Sequence, residues 1–417
     1  MSTDNMMFRG DCSFSYKLYS GIKQGLPLSP FLFIFYINDI FDFFGAIYDG
    51  GIQFFEALHL LVHADDATII ASTREIAVNK LKSMLQYCKI NCIIPQYSKC
   101  EFIVINGNDS DKMALPFGNS YIENVNHIVL LGSHLSDNAS LKEEILLHMR
   151  KRYKSVIKFY NFIRSNRVAP LQVKLKVLKS CVMSSLLHNC EAFGDYVIKD
   201  LELAYSKLLK SCFNVRESVP NDILLIESGF LPIRTLVYSR QLKFYRRFKS
   251  SIQHNSRRQI MFDLLLNNKT KFLKHYEQLD SKYTNSEEIL TESRNSLKQR
   301  IYDLANAEHY KFKIYVDLNP NLAPSPFLQS VHPIASEIIK FRLGSHYLPI
   351  ETGRWNRTPR HERLCNFCGE FGDEKHIIYN CFLIDRNDMM LEQRLSHIWY
   401  QPEIYTLFKR MKETDYL

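Results

Sequence analysis

What this 417-residue sequence lacks narrows its class before any motif is read. It has no long apolar run: the longest, Phe31 to Ile37, stops at Asn38 and Asp39, far short of the ~20 residues that a membrane-spanning helix needs. It also lacks a secretory leader, because Met1 to Cys12 contains no apolar core flanked by basic residues. The chain therefore reads as intracellular and without membrane contact; nucleus and cytoplasm both stay open, since no targeting signal is visible. A disulfide framework is missing too. The ten cysteines are mostly scattered, which fits free thiols or metal ligands in a reducing compartment. There is no internal repeat.

Core material, by contrast, is plentiful. With 46% hydrophobic and 13% aromatic residues, the chain can build two or three ordinary domains and is not disordered. The net charge of +9 is unevenly spread. Lys and Arg number 9 against 14 Asp and Glu in residues 1–141, 23 against 9 in 142–260, and 21 against 21 in 261–417. The positive middle segment suits a surface that neutralises phosphates, and equally a solvated helical bundle; charge alone does not separate the two.

Arg9 to Tyr19 reads as a weak strand. The following Ser20-Gly21-Ile22-Lys23-Gln24-Gly25-Leu26-Pro27-Leu28-Ser29-Pro30 is a loop with two glycines, where backbone can approach a ligand and Gln24 offers an amide. Ser29-Pro30 is a helix start. The helix expected over Phe31–Phe44 is apolar nearly all round and should be buried. Leu60–Val62 and Thr68–Ala71 then read as two short strands with Ala64-Asp65-Asp66 at the turn between them. Paired carboxylates suit a hard cation such as Mg²⁺; the same pair also fits a solvated turn, where Asp is favoured for backbone reasons.

Arg74 to Cys92 has helical spacing, Lys99 to Ile105 reads as a strand, Asn106 to Gly118 as a turn-rich loop and Ile128 to Leu131 as a strand. After Ser140 helices take over, at Leu141–Ser165, Pro170–His188, Leu201–Phe213, Arg234–Ser251 and Ser286–Leu304. A domain boundary is expected near residue 140. In the tail, Cys365, Cys368, His376 and Cys381 form C-x2-C-x7-H-x4-C. Three thiolates and one imidazole complete a tetrahedral Zn²⁺ shell, with C-x2-C as the tight knuckle. Arg354, Arg357, Arg360 and Arg363 precede it, as phosphate contacts or as an exposed basic turn.

The Gly21-to-Pro30 loop followed by Ala64-Asp65-Asp66 resembles the reverse transcriptases of non-LTR (LINE-like) retrotransposons. The likeness extends through Tyr87–Phe102, Leu131-Gly132, the stretch Ser185 to Gly194 and the Cys365–Cys381 cluster, which is similar to the zinc knuckle of these elements. It implies an α+β fold: a partial palm of antiparallel strands and helices over residues 1–140, a basic helical thumb over 141–255, a helical connector over 256–345, and a C-terminal region over 346–417 ending in the knuckle. It implies an RNA-directed DNA polymerase, a nucleotidyltransferase of a transposable element, that takes an RNA template, an RNA–DNA hybrid or target DNA, and deoxynucleoside triphosphates.

By the same resemblance Asp65 is a Mg²⁺ ligand and Asp66 its less directly coordinating neighbour, in a two-metal site. Gln24, Gly25 and Lys99 line the nucleotide and template side, and Cys365, Cys368, His376 and Cys381 hold Zn²⁺. The sequence departs from the family at His63, where Phe or Tyr is usual, and at Gln96, where Asn is usual. The family's first palm aspartate lies upstream of the Gln-Gly loop, and Asp4 and Asp11 are poor matches for it. The expectation is a fragment that does not polymerise alone; a non-catalytic nucleic-acid-binding remnant is the alternative.

Overall fold

The computed structural model describes residues 2–8, 11–18, 21–22, 26–45, 60–192, 196, 198–251, 271–387, 389–391 and 393–414. They divide into two compact units, residues 2–144 and residues 145–414. The first mixes small antiparallel sheets with helices. β1 (Ser2–Phe8) pairs with β2 (Asp11–Leu18), β3 (Leu60–His63) with β4 (Asp66–Ile69), β5 (Leu115–Phe117) with β6 (Ser120–Ile122), and β7 (His127–Leu130) with β8 (Ser133–Ser136). Each pair is a separate two-stranded sheet. Between β2 and β5 lie α1 (Ser29–Tyr36), α2 (Ile40–Gly45) and α3 (Arg74–Ile90).

Local chemistry explains these elements. The β7–β8 turn, Leu131-Gly132, has φ of 49° and 81°, the two left-handed residues of a type I′ hairpin turn. Thr73 caps α3 by accepting from the Ile76 amide at 3.3 Å, with Glu75 and Lys89 placed to suit the helix dipole. One face of α3 packs Met84, Tyr87 and Cys88 against Ile40 and Phe44 of α2 and Leu60 of β3. Another packs Leu81 against Leu115, Phe117 and Ile122 of β5–β6. The side chain of Arg74 reaches the carbonyls of Asp111, Met113 and Ala114, fastening that loop to the start of α3.

Three expectations need correction. The single buried helix over Phe31–Phe44 is two helices, broken at Ile37-Asn38-Asp39. Asp39 starts α2 by accepting from the Phe43 amide, and its carboxylate takes the Tyr87 hydroxyl at 2.5 Å. Contrary to expectation, α1 is exposed rather than buried: Phe31, Phe35 and Ile34 are 66%, 76% and 52% exposed. Within α1, Ser29 is already helical and Leu28 takes the cap position. The strand expected over Lys99–Ile105 is a 3₁₀ turn, Tyr97–Lys99, closed by the Lys99 amide on the Gln96 carbonyl, followed by one bridge between Phe102 and Asn124. The loop expected over Asn106–Gly118 contains β5.

The second unit is helical: α4 (Leu141–Ser165, starting just before the boundary), α5 (Leu171–Val177), a π-helical turn (Leu178–Met183) leading to α6 (Ser184–Leu186), α7 (Ile198–Phe213), α8 (Asn221–Ser228), α9 (Ile233–Ser251), α10 (Lys271–Lys282), α11 (Ser286–Asn306), α12 (Tyr310–Leu318), α13 (Ala335–Arg342), α14 (Pro349–Trp355) and α15 (Glu403–Lys412). One apolar cluster runs from Val156 and Phe159 of α4 to Phe408 and Met411 of α15 and takes in Cys365 and Cys381. A smaller cluster joins α9, α10 and α11 through Leu242, Tyr245, Leu273, Tyr276 and Ile289. Inside the main core, Arg342 forks onto both oxygens of Glu227 at 2.6 and 3.1 Å, and Tyr315 donates to the same carboxylate at 2.8 Å. No described helix is long and apolar enough to cross a membrane.

Candidate active-site hairpin and metal centre

Asp65 lies on a tight turn, and Asp66 begins the strand that follows it. β3 and β4 are in register from Leu60↔Ile69 to His63↔Asp66, so Ala64 and Asp65 form the two-residue tip. Ala64 has φ of 52°, a left-handed conformation that disfavours a residue with a Cβ. The hairpin is held from below: Leu60 is buried, and Val62 and Ile69 pack with Met84 and Tyr87. Lys80 of α3 is buried and donates to the Ile70 carbonyl at 2.6 Å, pinning the chain just past β4. Burial lowers the pKa of that ammonium. Both carboxylates are exposed, and carboxylate oxygens are the donor type that a hard cation takes.

Of the other residues expected at this site, only Lys99 falls among the described side chains. Gln24 and Gly25 lie outside the described residues, as do the side chains of Asp4 and Asp11. Lys99 is exposed at the end of its 3₁₀ turn. Among the described residues, Asp65 and Asp66 join no group of three or more His, Cys, Asp or Glu close enough to hold one ion.

The four tail ligands do converge. The ligand atoms of Cys365, Cys368, His376 and Cys381 lie within 4.8 Å of one another. Cys365 Sγ and Cys381 Sγ are 3.8 Å apart, and Cys368 Sγ and His376 Nε2 are 3.1 Å apart. Two thiolates bound tetrahedrally at a Zn–S distance of about 2.3 Å would be separated by about 3.8 Å, so the donor set fits this ion in type, number and spacing.

The local fold makes the convergence possible. The Gly369 amide bonds back to the Cys365 carbonyl at 3.0 Å, and Gly369, at φ 76°, turns the knuckle. The Cys365 amide reaches the Glu370 carbonyl, and Leu364 bridges Phe371. Asp373 accepts from the His376 amide at 2.8 Å and so starts the π-helical His376–Asn380 turn. Arg386 then clamps the exit by donating to the carbonyls of Ile378, Cys381 and Ile384. Cys365, His376 and Cys381 are buried and Cys368 is half-buried. Burial, then the thiols of Cys365 and Cys368 beside it, pushes the Cys381 thiol up to about 11; a bound cation reverses that balance by favouring the thiolate.

The arginines before the knuckle do not form an open basic row. Arg354 pairs with buried Glu351 at 3.1 Å. Arg360 lies over the rings of Tyr310 and Phe371, and Arg363 donates to the carbonyls of Thr358 and Ile350. Three of the four are tied into the fold in this way; Arg357, exposed like Arg360, has no such tie among the described residues. Spacing cannot reveal Lys80, Asp373 or Arg386 as supports, because each acts on a backbone group and carries no motif. On α4, Arg150, Lys151, Lys154, Lys158 and Arg164 are all exposed.

No curated protein matches the chain. Residues 3–135, the span that holds the Asp65-Asp66 hairpin and the α3 scaffold beneath it, match the family model of the reverse transcriptase (RNA-dependent DNA polymerase).

Proposed function

We propose that the chain is a segment of a non-LTR, LINE-like retrotransposon reverse transcriptase: part of a palm over residues 1–140, a basic thumb over 141–255, a connector over 256–345 and a zinc-knuckle region over 346–417. The observation that carries this reading is the Asp65-Asp66 turn, exposed and lying inside the segment that matches the family. Asp65 would hold Mg²⁺ and Asp66 would assist. Gln24, Gly25 and Lys99 would line the nucleotide and template side. Divalent cations bound there supply two-metal chemistry, activation of a primer 3′-hydroxyl and neutralisation of the triphosphate and leaving group. Cys365, Cys368, His376 and Cys381 would hold Zn²⁺ in a structural role, since four protein ligands leave no open position.

The family's palm uses three carboxylates, and Asp4 and Asp11, the candidates for the third, match its sequence context poorly. The purified chain is therefore expected to give no primer extension on a primed RNA template with deoxynucleoside triphosphates and Mg²⁺. Mg²⁺-dependent extension that disappears in Asp65→Ala would overturn this expectation. A second reading, a nucleic-acid-binding remnant without chemistry, is favoured by the converged Cys/His ligands and by the exposed cations of α4. Gel-shift binding of an RNA–DNA hybrid without extension supports it.

A further inference from the structure

The chain contains two tryptophans, and they are used in opposite ways. Trp399 is buried and donates its indole N–H to the Leu318 carbonyl at 2.8 Å. Trp355, the last residue of α14, is 45% exposed, and Tyr347 beside it is 53% exposed. Their ring centroids are 6.0 Å apart at 88°. The guanidinium of Arg216 lies over both, 3.9 Å from the centroid of Trp355 and 4.4 Å from that of Tyr347. Arg216 is itself fixed: its side chain donates to the His346 carbonyl at 2.7 Å and its amide to the Ser345 hydroxyl at 3.2 Å. Two stretches far apart in sequence, Arg216 and residues 345–355, thus hold two large rings together at the surface.

This cluster is tied to the Cys/His region by backbone. The Ile350 amide of α14 bonds to the Gly372 carbonyl, the Gly372 amide bonds to the Arg363 carbonyl, and Arg363 returns to the Ile350 carbonyl. The nearby carboxylate, Glu351, is buried and occupied by Lys311 and Arg354. Half-buried Arg216 lies against the rings, exposed Arg357 stands two residues beyond Trp355, and the exposed carboxylate of Glu217 follows Arg216 in sequence.

We propose that Trp355, Tyr347 and Arg216 form a base-stacking platform for single-stranded nucleic acid, placed on the surface that leads into the Cys/His cluster. It rests on the reading above, that this region binds nucleic acid, and adds the mode. A part-exposed indole with one guanidinium stacked over a face matches a ligand that is flat and apolar in one part and anionic in the next, as a base and its phosphate are. A cationic ligand is disfavoured because Arg216 already covers the rings. A double helix keeps its base faces stacked inside, so an unpaired strand is the occupant. Recognition should be tolerant of sequence, since every base has a π-face.

The test uses the full chain and the natural contrast between its two tryptophans. Oligo(dT) and oligo(U) of about 15 nucleotides are titrated while intrinsic fluorescence is read, and anisotropy of the labelled strands measures affinity in parallel. Partial quenching that leaves the Trp399 emission is expected, with whichever of RNA or DNA quenches at lower concentration identified as the preferred strand. Trp355→Ala should weaken binding roughly 5- to 100-fold, as loss of one stacked base does. Trp355→Phe should restore most of it, and Tyr400→Ala, at an exposed ring elsewhere, should change nothing. Equal affinity in Trp355→Ala, or binding by anisotropy without quenching, overturns the platform and leaves the nucleic-acid reading standing. Quenching by a proline-rich peptide but by neither oligonucleotide also overturns it. No binding of any strand by anisotropy overturns both.

Discussion

At the scale of single residues, Glu227 and Arg342 show what an isolated sequence conceals. They sit 115 positions apart, in stretches where each reads as an ordinary helix charge, and no local pattern joins them. In the folded chain they form a fully buried fork, with Tyr315 on the same carboxylate and the Trp399 ring 5.0 Å from the guanidinium. Removing one member strands the other charge in a low-dielectric interior. Arg342→Met should therefore cost ~3–5 kcal/mol of stability, and adding Glu227→Gln should recover part of it; urea denaturation of the two variants checks this. The Cys/His ligands were legible for the opposite reason: all four lie within one short stretch, so their chemistry and spacing are visible together. The arginines beside them stayed ambiguous, because a guanidinium that braces carbonyls or covers a ring has the same spelling as one that meets phosphate.

Elements were legible where one periodicity governed them. The helices α3, α4, α7, α9 and α11 carry a clear apolar stripe, and the structure has them within a few residues of expectation. The β5–β6 hairpin was missed although Gly118-Asn119 spells a two-residue turn, because its strands are only three residues long. α1 failed differently: apolar all round, it implies burial, yet its side chains face outward among the described residues.

The contact between α9 and α10 adds a pH-dependent fastening that spacing alone does not announce. Asp280 accepts from Arg246 at 2.6 Å and Lys249 at 3.2 Å. Burial pushes its carboxyl up, but the hydrogen bonds and charges of those two cations outweigh this and hold it below its ordinary value. A carboxyl depressed in the folded state contributes stability above its unfolded pKa of about 3.9 and loses it as pH falls through the lower folded value. Asp280→Asn should thus lower the melting temperature at pH 6, and the gap from the native chain should shrink as pH falls below the unfolded pKa; thermal melts over a falling pH series test this.

For the whole molecule, the division into two units with separate cores makes metal dependence local. The purified chain should contain about one equivalent of zinc, and chelation should destabilise the second unit while leaving the first, because ligand binding free energy is folding free energy only for the core that contains the ligands. Metal analysis with unfolding followed separately in each unit decides this; zinc below half an equivalent, or a second unit indifferent to chelator, goes against the knuckle. The same core has a consequence for synthesis. It joins Val156 near its start to Met411 near the end of the chain, whereas the two clusters packed on α3 draw only on residues 40–122. On a ribosome adding roughly 5–20 residues per second, the hairpin and the helix beneath it can pack early, while the helical unit waits roughly fifteen to fifty seconds for its last helix and for its metal ligands. During that interval its basic, half-formed helices are the part of the nascent chain that chaperones or RNA can reach first.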